Sequence, residues 1–177
     1  MNEKILNTKT IFDGRLLRVR HLTVELPDGT QAQREVLKHP GAAAIVPLDE
    51  NNNVLLVKQF RIGAEQIFYE IPAGLLEQDE DPRDAVIREC REETDYRPLN
   101  VEALGGMYLA PGYSDEYIHL FYATALEHAP LDQDTTEFVT PERLPFTQAL
   151  NMIDDGTITE AKTIAALLRV ARKLNIS

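Results

Sequence analysis

The residues most able to do chemistry lie close together in one segment. From Gly74 to Tyr96 the chain reads GLLEQDEDPRDAVIRECREETDY. The stretch 82–94 has the pattern of a helix: Pro82 suits the first turn, and Ala85, Val86 and Cys90 supply an apolar stripe. On such a helix Glu89, Glu92 and Glu93 are three and four residues apart and share one face. Like charges at that spacing repel and cost helix stability. Arg88 and Arg91 offset part of this but sit on other parts of the wheel, and Glu80 lies just upstream in a loop. A carboxylate cluster without a set of Cys or His ligands suits a hard cation, Mg²⁺ or Mn²⁺. On composition alone the cluster reads more readily as a solvated acidic face, since charge runs usually face water.

These groups need elements to position them. Residues 15–26 alternate in strand fashion, Pro27-Asp28-Gly29 signals a turn, and 31–38 return as the second arm of a hairpin. This N-terminal unit, residues 1–40, has too few apolar residues for a core of its own and is expected to pack on something. The runs 42–48 and 54–60, divided by Asp49-Glu50-Asn51-Asn52-Asn53, predict two buried strands. Residues 67–72 form a short strand ending at Pro72-Ala73-Gly74, and strands are expected at 101–110 and 117–127. Helices are expected at 147–155 and 159–174, separated at Gly156. Strands mixed with a few helices, without regular βαβ alternation, predict an α/β or α+β sandwich.

The bulk properties narrow the function. A chain of 177 residues, 44% apolar, supports one domain with a real core or one domain plus an appendage. A net charge of −11 argues against a nucleic-acid or acidic-lipid binder, which needs a basic face. A small anionic substrate remains compatible, because local arginines and metal ions reverse the field inside one pocket. With Cys90 as the single cysteine, no intrachain disulfide can form; a small buried side chain is the expected role. The first residues lack a signal-peptide core and no run is long enough to span a bilayer, so a cytoplasmic protein is expected.

The spacing decides against the solvated-face reading. Gly74, Glu80, Arg88, Glu89, Glu92 and Glu93 fall in register with the Nudix box, a glycine followed at fixed intervals by glutamates and an Arg-Glu pair, and the segment resembles it closely. Two positions depart: Asp95 replaces the final glycine and Tyr96 the final aliphatic residue. That glycine is expected to take positive φ, which Asp tolerates better than most residues. Beyond the box, REVLKHPGAAAIVPL (34–48), VLLVKQFR, EIPAGLLE, the loop APGYSDEYIHLF (110–121) and AKTIAALL (161–168) are similar to the ADP-ribose pyrophosphatase branch of that family. Pro111 matches a proline that this branch carries about fifteen residues after the box.

The resemblance implies an α/β/α sandwich with a mixed sheet over residues 41–177, and a homodimer whose N-terminal strands exchange. It implies Mg²⁺-dependent cleavage of the pyrophosphate of a nucleoside diphosphate sugar, with ADP-ribose as leading substrate, and neither nucleic acid nor membrane as partner. By the box match Glu89 and Glu93 are the implied metal ligands, with Glu92 close behind, the carbonyl of Ala73 a further oxygen donor, and Glu80 a ligand or a support. Arg88 is read as orienting the glutamates. Arg61 resembles a phosphate-contacting arginine, and Arg34 reaches substrate from the N-terminal unit or is simply a surface residue. The general base in this branch comes from a loop after the sheet, here Leu131 to Phe138; Glu137 is the choice and Asp134 the alternative, while a plain polar loop stays open. Two rivals remain: a hydrolase of another sugar nucleotide such as GDP-mannose, and a non-catalytic ADP-ribose sensor. A sensor usually loses box glutamates, and this chain keeps them.

Overall fold

The structure, a computed structural model, describes residues 2–132 and 137–176. The chain divides into two compact units. One comprises Met1–Gly41 with Tyr108–Tyr117, the other Ala42–Met107 with Ile118–Ser177.

In the first unit β1 (Lys4–Asp13), β2 (Arg18–Glu25) and β3 (Gln31–Lys38) form an antiparallel sheet in the order β1-β2-β3. The hairpin of β2 and β3 turns at Gly29, whose φ of 83° few residues with a side chain adopt. Asp28 accepts from the backbone N–H and hydroxyl of Thr30 to close the turn. β1 was not foreseen: its sequence, KILNTKTIFD, has no clean alternation, and every residue of it is exposed. Among the described residues of this unit Val24 is the buried hydrophobic side chain. The loop before Tyr117 is tied to β3 by the Leu37 N–H donating to the Tyr113 carbonyl, and by Asp115, which pairs with Lys38 and accepts from the His39 N–H.

The second unit is a sandwich. Its sheet runs in the order β12 (Val139–Pro145), β5 (Asn53–Arg61), β4 (Ala42–Leu48), β10 (Tyr117–Thr124), β9 (Val101–Tyr108), with β6 (Gln66–Glu70) on β5 and β7 (Ala73–Leu75) on β4. β4 and β10 are parallel and β12, β6 and β7 antiparallel to their partners, so the sheet is mixed. β4 is buried along its whole length, as a strand covered on both faces must be. Its odd and even residues serve different layers. Ala43 and Ile45 pack with Ala85, Val86 and Cys90 of α1 (Pro82–Thr94). Ala44, Val46 and Leu48 pack with Phe146 and Ala149 of α2 (Phe146–Asp154) and with Ala166, Leu167 and Val170 of α3 (Ala161–Leu174). Helix α1 thus covers one face and α2 and α3 the other. A small two-stranded sheet joins β8 (Tyr96–Pro98) to β11 (Leu126–His128).

Helix α1 is well delimited. The Asp81 side chain accepts from the Arg83 N–H, Pro82 follows it, and Asp95 ends the helix in the left-handed region at φ 66°, its N–H on the Arg91 carbonyl. Asp95 therefore adopts the conformation for which the box pattern carries glycine. Cys90 is buried and hydrogen-bonded near Thr94, and burial pushes its thiol up to about 12, so it is a core residue and not a nucleophile. Each fully buried Val or Leu side chain in this layer stabilises the fold by about 1.5–3 kcal/mol. Among the described residues no helix is long and apolar enough to cross a membrane.

Candidate active site

The acidic face of α1 borders a cavity of about 310 Å³. Glu89, Glu92 and Glu93 line it from the helix, with Glu77 from the preceding loop. Asp132, Glu137 and Val139 close it from the segment leading into β12. Arg88 is the cation among the lining residues.

Arg88 does more than the helical wheel suggested. Its Nε and Nη2 donate to the two oxygens of Glu80 at 2.9 and 3.0 Å. Its Nη1 donates to Glu89 at 2.6 Å and to Glu92 at 3.0 Å. The long side chain folds across the face that a Cα projection assigns to the glutamates, which is why wheel position underestimated it. Hydrogen bonding and charge from Arg88 hold the Glu80 carboxyl below its usual range, and Glu80 also accepts from the Glu77 N–H, fixing the loop ahead of α1.

Glu93 lies on the side of α1 that faces the sheet and is 5% exposed. The Ala73 N–H donates to it at 3.1 Å. Burial first, then the neighbouring Glu89 charge, pushes its carboxyl up to about 8. Burial likewise raises Glu89, against the pull of Arg88. Gly74 makes room for that group: a Cβ built there meets Glu89 Oε1 at 1.9 Å and Cδ at 2.0 Å. Gly74 and Glu89, on different elements of the same segment, are thus one steric unit, joined because β7 pairs with β4 under α1.

The donor set fits a divalent cation. It is made of carboxylate oxygens, it is partly desolvated, and its members repel one another without one. Among the described residues no three carboxylates already meet as a cage; Arg88 gathers Glu80, Glu89 and Glu92, and the Ala73 amide holds Glu93.

The remaining expected site residues are placed as follows. Arg61 ends β5, outside the cavity lining, with Nε and Nη2 each 2.7 Å from a Glu70 oxygen. Arg34 and Pro111 belong to the first unit, where Arg34 pairs with both oxygens of Glu3 at 2.7 and 3.1 Å. Glu137 lines the cavity; Val139, two residues on, enters the sheet opposite Gln59, while Phe138 between them is 88% exposed. Asp134 lies outside the described residues. Sequence reasoning gave no role to Glu77 and Asp132, which also line the cavity; neither belongs to the box register, so spacing carried no signal for them.

Comparison with known proteins agrees with this geometry. A family model described as the NUDIX domain matches residues 37–167, and one described as the nucleoside diphosphate sugar hydrolase N-terminal domain matches residues 3–37. The chain is 40% identical over 169 residues to the methanol dehydrogenase activator of Bacillus methanolicus, covering 93% of this chain and 90% of that one. It is 36% identical over 171 residues to an ADP-ribose pyrophosphatase of Bacillus subtilis, covering 94% and 91%. A crystal structure of an ADP compounds hydrolase superposes with a TM-score of 0.88 at 24% identity, covering 99% of this chain and 95% of that one, and shows the same fold. The NUDIX match spans every residue that lines the acidic cavity beside α1, and the chain belongs to the Nudix hydrolases.

Proposed function

We propose that this Nudix hydrolase cleaves the pyrophosphate of a nucleoside diphosphate sugar, with ADP-ribose as leading substrate and Mg²⁺ as the metal, Mn²⁺ substituting. One observation carries the reading. The cavity is lined by Glu77, Glu89, Glu92, Glu93, Asp132 and Glu137 against Arg88. Such a wall repels a diphosphate unless cations intervene. Support for the substrate comes from the ADP-ribose pyrophosphatase relative, matched over nearly its whole length.

Glu89, Glu92, Glu93 and the Ala73 carbonyl would hold the metal, with Glu80 in support through Arg88. Bound there, a divalent cation neutralises diphosphate charge and makes a water more acidic. The protein's own groups do the rest. Arg88 keeps Glu89 and Glu92 oriented. Glu137, on the opposite wall, takes the proton of the attacking water. The water oxygen bonds to one phosphorus, the bridging P–O bond breaks, and the products are AMP and ribose 5-phosphate. Arg61, Arg34 and Pro111 are the residues proposed for substrate, the two arginines because guanidinium pairs two oxygens at once. The assembly is a homodimer formed through residues 1–40, consistent with a first unit that buries so little of its own apolar surface.

A substrate panel with Mg²⁺ tests the reading. AMP release from ADP-ribose should exceed GMP release from GDP-mannose, and EDTA should abolish both. Faster GMP release makes the chain a GDP-mannose hydrolase, and turnover untouched by EDTA overturns the metal.

A further inference from the structure

The short stretch between β6 and β7 is held from two sides. On one side the Ala73 N–H donates to Glu93, and Ala73 pairs with Ala44 in the sheet. On the other side stands the start of α3. Thr163 Oγ1 accepts from the Ile71 N–H at 3.0 Å, and Lys162 Nζ donates to Glu70 Oε2. Glu160 ties both residues down: its carboxylate accepts from the Thr163 hydroxyl at 2.7 Å and from the N–H groups of Lys162 and Thr163, and it pairs with Lys162 Nζ at 3.2 Å. Residues 70 to 73 are therefore clamped between α3 and α1.

Stability alone does not account for the clamp. Lys162 is 7% exposed and Glu70 is 1% exposed. Desolvating such a pair roughly cancels its attraction, and an apolar pair of similar volume is often as stable or more so. Glu70 already has a cation in Arg61, which meets both its oxygens. What Lys162 adds is a directional bond from a helix outside the signature segment to the strand end that supports Glu93.

We propose that Lys162 and Thr163 are positioning residues for the metal site. They fix Glu70 and Ile71, and through them the Ala73 backbone that holds Glu93. This inference rests on the metal-binding reading above. It assigns α3 a part in cation affinity that box spacing does not reveal.

The test is Mn²⁺ titration of the apoprotein, followed by the electron paramagnetic resonance of free Mn²⁺, together with thermal melts and kcat and KM at saturating Mn²⁺. Lys162→Met keeps the Glu70–Arg61 pair, so the fold should survive. It should weaken Mn²⁺ binding about 10-fold, the scale of lost support behind metal ligands, with KM for ADP-ribose little changed. Lys162→Arg should restore most of the affinity. Thr163→Val, which removes the acceptor of the Ile71 N–H, should weaken binding in the same direction. Lys173→Met, on the same helix but distant from the clamp, removes an exposed pair with Glu102 of β9 and a contact over the Tyr122 ring, and should bind Mn²⁺ as the wild type does. Wild-type affinity in a folded Lys162→Met overturns the proposal; if that variant does not fold, wild-type affinity in Thr163→Val overturns it. A wild-type protein that binds no Mn²⁺ overturns the metal reading itself, and this inference with it.

Discussion

Replacing Gly74 by alanine should separate activity from stability. The methyl carbon would lie 1.9 Å from Glu89 Oε1, whereas real Cβ contacts essentially never fall below 3.0 Å, so the carboxylate oxygen must retreat by at least 3.0 − 1.9 = 1.1 Å. Gly74 is not among the glycines with positive φ, so alanine meets no backbone strain. The group that must move is the end of a flexible side chain, and the fold can yield there. Losing the 2.6 Å bond to Arg88 costs roughly 1.5–3 kcal/mol as a charged hydrogen bond. Release of Glu89 from a site where burial disfavours its charge offsets part of that. A net cost of about 1–2 kcal/mol lowers Tm by roughly 2–8 °C in a chain of this size. Activity is more sensitive, since a misplacement of about 1 Å can cost about 10²-fold. The assay is AMP release by chromatography beside differential scanning fluorimetry. Gly63→Ala, where a Cβ meets nothing within 4 Å, is the control. Gly74→Ala combined with Glu89→Asp, which shortens the crowded side chain, should regain part of the lost stability. A folded Gly74→Ala enzyme with wild-type kcat would refute the idea that the placement of Glu89 matters.

Further outcomes can be checked in parallel. Glu137→Gln should lower kcat by roughly 10²–10⁴-fold, the worth of a general base, and leave Mn²⁺ affinity unchanged; unaltered turnover means the base lies elsewhere in the 131–138 segment or that none is needed. Glu93→Gln should nearly abolish turnover while keeping the fold, and should also change the pH dependence of stability. With metal chelated, the folded-state Glu93 carboxyl is pushed up to about 8 against an ordinary 4.5. The folded state therefore holds that proton after the unfolded state has lost it, and Glu93 makes stability fall as pH rises through that window. Melts in EDTA should show the wild type losing more stability than Glu93→Gln between about pH 5 and 8; parallel curves would show that burial does not perturb Glu93. Light scattering should give a mass of twice 20.0 kDa, and a species of 20.0 kDa would exclude the dimer.

Much of the site was legible in the sequence because it is local. A helix turns every 3.6 residues, so the spacing of Glu89, Glu92 and Glu93 fixes a shared face wherever the helix goes. Pro82 and the apolar stripe set its start and its buried side, and Asp95 took the left-handed turn anticipated for it. The apolar runs announced β4, buried along its whole length, and β5, buried over its first half. β1 and β12 did not announce themselves: exposed residues in the first and prolines in the second blur the alternation that marks a strand, and only pairing with β2 and β5 makes them one.

What the tertiary structure decided concerns partners distant along the chain. Sequence spacing places Gly74 in the motif; only the packing of β7 beneath α1 shows that a side chain there would strike Glu89. The pattern names Glu93 as a ligand; only its burial raises its carboxyl. Arg61 resembles a phosphate-contacting arginine in the sequence; only the fold shows that it also pairs with both oxygens of Glu70. Lys162 stands in the family-like stretch AKTIAALL, but nothing there pointed to its partner Glu70, 92 residues away. Periodicity reports which face of an element a residue occupies, but a charge, a clash or a clamp depends on what another part of the chain brings against that face.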